Sequence, residues 1–380
     1  MSKWTIHATA ASGLEAVVKR ECEKLGLGPC RVEDGHVLFS GDATAIMRAN
    51  LWLSVADRVL VECGRFEATS FDALFETVAA MPWADVLPAN AAFPVQAKTV
   101  RSTLASPSDV QKITKKAIVR AMQRKYALEH FPEDGPRVPV DVTLRRDQAI
   151  VTVDTTGEGL FKRGYRQHKG GAPIKETLAA ALIDLSVWTP ERDFADVFCG
   201  SGTLVIEAAR KAKHIAPGID RTFLFQEWPW MDPTAFRDLR REAFGAIRTH
   251  VDGRFLGADI DLRMVDIARK NAQDAGVDDV VRFVHRDMRE VGLAESFGVL
   301  ITNPPYGQRL APEEGVATLM RDFARRFFAL RTWSLYVITA LRDFETLAGR
   351  EATRRRKLFN GGEEATYYQF LGPDPRQFRA

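Results

Sequence analysis

Apolar and polar positions recur with two periods along the chain, and each period predicts one type of secondary structure. Alternation between neighbouring positions marks strands, and spacing of three or four residues marks amphipathic helices. In the first half, strands are predicted at 4–9, 37–40, 93–100, 138–144 and 149–154, and helices at 13–25 and 43–50. From residue 174 onward, apolar runs alternate with helical stretches, which is typical of a parallel α/β sheet.

A long basic helix is predicted after the strand at 93–100, with Asp109 as its N-terminal cap. Its positive side chains recur every four residues and form one ridge, which comprises Lys112, Lys116, Arg120 and Arg124, with Lys115 beside it. Two further basic clusters lie at 162–175 and 354–357. A solvated helix face explains any one such cluster, but three clusters with little local acid favour a surface that contacts phosphates.

These patterns divide the chain into four parts. Residues 1–64 are expected to form a small ferredoxin-like α+β domain, and residues 65–156 a second α+β domain that carries the basic helix. Residues 157–173 are rich in glycine and basic residues and are expected to form a linker or a lid. Residues 174–380 are expected to form the α/β domain, with an insertion at 226–233.

Length and composition agree with a globular protein of two or three domains. The chain has 380 residues and a net charge of +3, which is too small to argue for nucleic acid by itself. No apolar run reaches the ~20 residues that span a bilayer, and the N-terminus lacks the apolar stretch of a secretory signal. Its four cysteines, Cys22, Cys30, Cys63 and Cys199, show no zinc-binding spacing. We therefore expect a cytoplasmic protein with free thiols, no metal site and no membrane contact.

The motif Asn303-Pro304-Pro305-Tyr306 carries the most chemical information. Two consecutive prolines hold the chain rigidly where it leaves an apolar strand. The amide oxygen of Asn303 and the carbonyl oxygen of Pro304 can both accept hydrogen bonds from an exocyclic amine, and the ring of Tyr306 can stack on a base. A plain strand terminator is the alternative interpretation, which the upstream motifs make less attractive.

A glycine turn, Gly200-Ser201-Gly202, follows the short apolar run that ends at Asp196. Glycines let the backbone approach a ligand, and the helix that follows offers free N–H groups. The third glycine of a dinucleotide-binding fingerprint is absent, since Val205 stands in its place. A cofactor with a nucleoside but no pyrophosphate therefore fits better.

Two acids follow the next predicted strands. Asp259 is placed to bind the two hydroxyls of a ribose, and Asp287 to face an adenine amino group. Taken singly, each acid is explained better as a helix cap or a turn residue. Their order, after the glycine turn and before Asn303, favours a shared site.

The ordered motifs resemble the class I S-adenosylmethionine-dependent methyltransferases that modify amines. More narrowly, the chain resembles over its whole length the THUMP-domain RNA methyltransferases related to the N-terminal half of RlmL, a 23S rRNA guanine-N2 methyltransferase. The stretches 164–166, 172–181 and 357–362 are similar to that family too. The resemblance implies a Rossmann-like methyltransferase domain at 174–380, preceded by ferredoxin-like and THUMP domains.

The resemblance also implies a set of functional residues. S-adenosylmethionine would be held by Asp196, Phe198, Cys199, Gly200, Ser201, Gly202, Thr203, Asp259, Ile260, Asp287, Met288 and Asn303. Catalysis would fall to Asn303, Pro304, Pro305 and Tyr306, and RNA would contact the basic ridge with Lys115.

Three functional hypotheses stay open at this point. The leading one is methyl transfer to guanine N2 of 23S rRNA by a monomer. The second is methylation of tRNA guanine N2 or of adenine N6, because the Asn-Pro-Pro-Tyr motif identifies amine chemistry and not the base. The third is an RNA-binding or ribosome-assembly protein with a vestigial catalytic domain. The intact glycine turn, Asp259, Asp287 and Asn303 argue against the third.

Overall fold

The computed structural model describes residues 3–166, 174–294, 297–305 and 313–374. The backbone divides into two compact units. The first comprises Met1–Ala10, Cys22–Leu160 and Thr222–Arg241, and the second comprises Ala11–Glu21, Phe161–Arg221 and Glu242–Ala380. The chain therefore enters each unit more than once.

One seven-stranded sheet runs through the first unit. Its strands are β1 (Trp4–Thr9), β2 (Arg31–Glu33), β3 (His36–Gly41), β4 (Val59–Glu67), β5 (Val95–Val100), β6 (Val140–Arg145) and β7 (Gln148–Asp154). Their order is β2-β3-β1-β4-β7-β6-β5, and every pair is antiparallel except β5 with β6. The pairing of β4 with β7 joins the ferredoxin-like part to the second α+β part, so that the two share a single sheet.

Side chains along these strands alternate as the sequence predicts. In β6, Val140, Val142 and Leu144 are at most 1% exposed, whereas Asp141 and Thr143 between them are half-buried. The strands predicted in this half are confirmed, with ends shifted by up to two residues. The sequence does not predict β2, because three residues are too few to display a period.

Four helices connect the strands of the first half, and they are α1 (Glu15–Lys24), α2 (Ala43–Trp52), α3 (Phe71–Ala80) and α4 (Pro107–Tyr126). The predicted cap of the basic helix α4 is wrong. Ser106 is its N-cap, and the Ser106 hydroxyl accepts a hydrogen bond from the backbone N–H of Asp109 at 3.4 Å. Pro107 explains the earlier start, because proline needs no amide partner in the first helical turn. Asp109 lies in that turn, where its charge favours the helix dipole.

The predicted insertion belongs to the first unit, within the segment 222–241. Trp228 is 1% exposed and its indole N–H donates to the carbonyl oxygen of Arg137 at 3.0 Å. The ring of Trp230 lies 5.1 Å from the ring of Trp4. The sequence predicts the interruption of the α/β pattern but not the unit on which the inserted residues pack.

A second seven-stranded sheet organises the other unit. Its strands are β8 (Phe194–Asp196), β9 (Phe255–Asp259), β10 (Val281–His285), β11 (Val299–Thr302), β12 (Ser334–Thr339), β13 (Arg354–Asn360) and β14 (Glu363–Phe370). The order is β10-β9-β8-β11-β12-β14-β13, with the first five strands parallel and β14 antiparallel to both neighbours. The strand order reverses between β8 and β11, and ligands of open α/β sheets bind beside such a reversal.

Helices along the second half of the chain are α5 (Glu176–Asp184), α6 (Thr203–Ala212), α7 (Pro233–Gly245), α8 (Leu262–Asp274), α9 (Glu313–Phe327) and α10 (Phe344–Ala348). The sheet core is apolar, with Leu300 and Val337 fully buried against Phe323 and Phe327 of α9. Among the described helices, none is both long and apolar enough to cross a membrane. All four cysteines are free thiols.

Candidate active site

The four sequence motifs meet at one edge of the second sheet. Strands β8, β9, β10 and β11 are parallel neighbours, so their carboxyl ends lie side by side. Asp196 and Asp259 end β8 and β9, whereas Asp287 and Asn303 follow β10 and β11. Residues far apart in sequence therefore lie along one edge of the sheet.

The glycine turn between β8 and α6 has a backbone conformation that requires glycine. Gly200 and Gly202 have φ angles of +49° and +87°, which favour glycine. A Cβ at Gly202 would lie 2.7 Å from Cζ of Phe283, so no larger residue fits there. Among the described residues, the nearest atom to a Cβ at Gly200 would be Cε of Met264 at 3.9 Å, which leaves space for a ligand beside the turn.

Helix α6 begins directly after this turn. Its N-cap is Gly202, which supplies no side-chain hydrogen bond to the first N–H groups. These N–H groups and the positive end of the helix dipole form a natural site for a carboxylate or another anion. On α8 the fully buried Asn271 donates to the carbonyl oxygen of Ser201 at 3.0 Å and anchors the turn.

Asp259 ties the glycine turn to the end of β9. Its carboxylate accepts the backbone N–H of Gly200 at 2.8 Å and that of Asp261 at 2.9 Å. The next residue, Ile260, is 67% exposed, which is unusual for a large apolar side chain. An acid beside an exposed apolar surface suits a nucleoside, since the acid binds hydroxyls and the surface covers a base.

Asp196 is almost completely buried between β8 and β11. Its carboxylate accepts the hydroxyl of Thr302 at 2.5 Å and the backbone N–H of Phe198 at 3.1 Å. Burial raises the pKa of Asp196 to about 7, and the charge of Asp259 adds to this. The hydrogen bond from Thr302 links the two strands at the point where the strand order reverses.

Asp287 follows β10 and caps a short 3₁₀ turn. Its carboxylate accepts the backbone N–H of Arg289 at 2.8 Å and the Arg289 guanidinium at the same distance. The side chain of Met288, in contrast, is 3% exposed and packs in the apolar core. Phe198 and Cys199 also face inward, since Phe198 packs on Phe323 and burial raises the pKa of the Cys199 thiol.

Asn303 is the polar residue that follows β11. Its amide oxygen Oδ1 is buried and has no hydrogen-bond partner within the described ranges. An unsatisfied buried acceptor costs about 1–3 kcal/mol, and a ligand that donates a hydrogen bond to it would offset this cost. Pro304 is buried and Pro305 is half-buried beside it, whereas Tyr306 lies outside the described residues.

These residues fit S-adenosylmethionine, the cofactor that the resemblance implies. The open space beside Gly200 leaves room for a ligand against the backbone. The Ser201 hydroxyl oxygen is buried and unpartnered among the described residues, as is Oδ1 of Asn303. The Ser201 oxygen is available to a cofactor beside the glycine turn, and Oδ1 of Asn303 is available to a second ligand at the end of β11.

The sequence does not single out three polar residues near this edge of the sheet. Thr302 and Asn271 are fully buried and bind the motif residues, and Glu176 is 2% exposed at the start of α5. A polar residue among apolar neighbours could have identified such a residue in the sequence. Asn271 shows this pattern, since it lies between Ala268 and Ala272.

The basic ridge lies in the first unit, on α4. Lys112, Lys116, Arg120 and Arg124 are all exposed, and Val110, Ala117 and Met122 are fully buried on the opposite face. Lys115 has local partners, since its ammonium donates to the carbonyl oxygen of Phe93 at 3.1 Å and to Glu133 at 2.6 Å.

Three family models match the chain in succession. The RlmL ferredoxin-like domain matches residues 5–60, the THUMP domain matches 68–154, and the RMKL-like methyltransferase domain matches 163–369. The last model alone covers more than half of the chain.

Whole-chain relatives agree with these models. A protein of Bacillus subtilis (strain 168) named "Putative RNA methyltransferase YpsC" is 45% identical over 97% of this chain and 96% of its own. The crystal structure of SMU.472, described as "a putative methyltransferase complexed with SAH", is 44% identical with a TM-score of 0.93 over 98% of this chain and 99% of that one. A structure from Listeria monocytogenes described as "a predicted N6-adenine-specific DNA methylase" is 45% identical, with the same TM-score over 98% and 97% of the two chains.

The geometry of the site, the succession of domains and the whole-length relatives agree with one another. The chain belongs to the family of RMKL-like methyltransferases, in the form that carries RlmL ferredoxin-like and THUMP domains before the methyltransferase domain.

Proposed function

We propose that the protein transfers a methyl group from S-adenosylmethionine to the exocyclic amine of an RNA base, with guanine N2 of 23S rRNA as the leading target. The unpartnered, buried Oδ1 of Asn303 at the end of β11 carries this proposal. An amine hydrogen is the donor that this acceptor lacks.

The cofactor is S-adenosylmethionine, which supplies a methyl group bound to a positively charged sulfur. The backbone of Gly200 and Gly202 takes its methionine part, next to the N-terminus of α6. Asp259 binds the ribose hydroxyls and Asp287 lies near the adenine amino group. Ile260, which is largely exposed, covers the adenine face.

The chain's own residues position the target amine. The lone pair of an aryl amine is delocalised into the base, so it must be localised before it attacks the methyl group. Oδ1 of Asn303 and the carbonyl oxygen of Pro304 accept the two amine hydrogens and favour this localisation. Two prolines in succession keep these acceptors rigid, and positioning of this kind supplies much of a transfer rate.

RNA is the substrate that the first unit favours. The exposed ridge of α4 lies within residues 68–154, which match the THUMP domain, and the whole-length relative YpsC is named an RNA methyltransferase. The amine of a paired base is inaccessible, so the target nucleotide is unpaired or flipped out of its helix.

Guanine N2 is favoured over adenine N6 by the match of residues 5–60 to the RlmL ferredoxin-like domain. Adenine N6 is the second candidate, because the Listeria relative is described as an N6-adenine-specific methylase. Identification of the modified nucleoside distinguishes these two candidate targets.

Replacing Asn303 with alanine tests the proposal. Asn303→Ala is expected to retain cofactor affinity and to lower kcat on the order of 10²-fold, because the lost acceptor acts mainly on the amine as it attacks. The measurement is tritiated methyl transfer to undermodified rRNA and tRNA from a deletion strain, with the product nucleoside identified by mass spectrometry.

The surface variant Asp278→Asn serves as the control, since Asp278 is exposed and lies away from the carboxyl ends of the strands. Formation of N2-methylguanosine supports the leading target, and N6-methyladenosine transfers the assignment to adenine. Near-normal turnover by Asn303→Ala contradicts the proposed mechanism for either base.

A further inference from the structure

Glu176 presents a second buried acceptor without a partner. It is the first residue of α5, its side chain is 2% exposed, and its oxygen Oε2 has no hydrogen-bond partner in the described part of the chain. A buried carboxylate oxygen in this condition destabilises the folded protein, because its lost hydration is not replaced. Such a cost is expected where a ligand completes the hydrogen bond.

Arg166 connects Glu176 to the first residue of α6. Its Nε atom lies 3.2 Å from Oε1 of Glu176. Its Nη1 atom donates to the carbonyl oxygen of Ile174 at 2.9 Å and reaches the hydroxyl of Thr203 at 3.5 Å. A single guanidinium therefore spans the distance from Glu176 to the helix N-terminus that follows the glycine turn.

The neighbouring charges leave Glu176 available for a cation. Arg163 is 1% exposed and pairs with Glu207 at 3.3 Å, and the hydroxyl of Tyr165 also donates to Glu207, at 3.0 Å. Burial raises the pKa of Glu176 to about 7, Arg166 opposes this rise, and Glu207 adds to it. Arg166 thus pairs with Oε1 of Glu176, whereas Oε2 has no hydrogen-bond partner among the described residues.

We propose that Oε2 of Glu176 accepts a hydrogen bond from the α-ammonium group of the methionine part of the cofactor, and that Arg166 is a positioning residue for Glu176. The ammonium is the one cationic donor of an amino-acid group, and the carboxylate of the same group suits the uncapped N–H groups of α6. A purely structural ion pair explains Oε1 but leaves Oε2 unexplained. The proposal rests on the S-adenosylmethionine cofactor of the proposed function.

The test compares ligands that differ only in this amino-acid group. S-adenosylhomocysteine carries it, its deaminated analogue lacks the ammonium, and 5′-methylthioadenosine lacks the whole group. Calorimetry measures all three on the full chain and on Glu176→Gln. We expect S-adenosylhomocysteine to bind about ten- to a hundredfold more weakly to the variant, because a charged hydrogen bond is lost. The other two ligands are expected to bind both proteins equally, and this shows that the variant is folded.

Asp184→Asn is the matched control, since it makes the same kind of change at the other end of α5, where Asp184 pairs with Lys211. It is expected to bind all three ligands as the unaltered chain does. Equal affinity of Glu176→Gln and the unaltered chain for S-adenosylhomocysteine overturns the proposal. An equal loss of affinity for all three ligands also overturns it, because the effect is then general to the site. Failure of the unaltered chain to bind S-adenosylhomocysteine contradicts the cofactor itself.

The pH dependence gives an independent measurement. Arg166, Arg163, Tyr165 and Glu207 are the charged and titratable groups that face Glu176 from the neighbouring elements, and burial raises the pKa of Glu176 to about 7. Affinity for S-adenosylhomocysteine is therefore expected to rise by about tenfold over this interval as Glu176 ionises. Affinity of Glu176→Gln is expected to stay flat, and a rise of equal size in the variant overturns the assignment.

Discussion

Asp196 shows how a single residue can couple the site to the stability of the protein. Its carboxylate is 2% exposed and its pKa is raised from 3.8 to about 7 by burial. The native state therefore binds a proton between these pH values that the unfolded chain has released. Stability then falls as the pH rises from about 4 to about 7, by on the order of 4 kcal/mol from this residue.

Asp196→Asn is expected to remove this dependence. The amide is neutral at every pH, so the thermal midpoint of the variant should fall less than that of the unaltered chain between pH 5.5 and pH 8. Thermal unfolding at both pH values measures the difference. Asp278→Asn, at an exposed acid, provides the comparison. An identical decrease in the midpoint of Asp196→Asn and of the unaltered chain would show that Asp196 is already ionised at pH 5.5.

The motif residues of the site were predictable because each polar or glycine motif comes directly after a predicted strand. The glycine turn, Asp259 and Asn303 each come directly after an apolar run, and parallel strands bring such positions together. The partners of these residues were not predictable. Thr302 binds Asp196 across 106 positions of sequence, and no local pattern marks such a contact.

At the scale of elements, the basic ridge of α4 can be tested directly for RNA binding. Changing Lys112, Lys116 and Arg120 together to alanine is expected to weaken RNA binding and to flatten its salt dependence. Each lost phosphate contact lowers the slope of log affinity against log salt by about 0.7 to 0.9. Filter binding over a salt series measures the slope, and calorimetry verifies that cofactor affinity is unchanged.

The control for this experiment removes equal charge elsewhere. Arg237, Arg241 and Arg248 are exposed, and their triple alanine variant is expected to keep the original slope. If the α4 variant keeps it as well, the ridge is a solvated helix face and RNA binds another surface.

Helices and strands were predictable where they are long enough for their spacing of apolar residues to repeat in the sequence. The buried face of α4 follows from the sequence, since twenty residues display the helical spacing several times. The pairing of β4 with β7 does not follow from it. These strands join residues such as Val61 and Val153, whose partnership depends on tertiary packing and not on either strand alone.

At the scale of the whole molecule, the segment 222–241 supports a unit that is remote in sequence. Trp228→Ala is expected to destabilise the first unit by about 3–5 kcal/mol, because a fully buried tryptophan and its hydrogen bond are lost. Hydrogen exchange should then quicken in strands β6 and β7, with much smaller changes in α6 and α8. Phe244→Ala, at a side chain that is 50% exposed, is expected to leave exchange unchanged. Faster exchange confined to the second sheet would contradict this assignment.

The return of the chain to the first unit also affects how this unit folds during translation. The first unit has most of its residues by Leu160, yet it waits for the stretch that ends at Arg241. At about 5–20 residues per second, synthesis of that interval takes about 4 to 16 seconds. During this time the nascent first unit lacks Trp228 and Trp230, and its apolar sites for them are open. We therefore expect nascent-chain chaperones to engage it between these two points of translation, and to release it once residue 241 has left the exit tunnel.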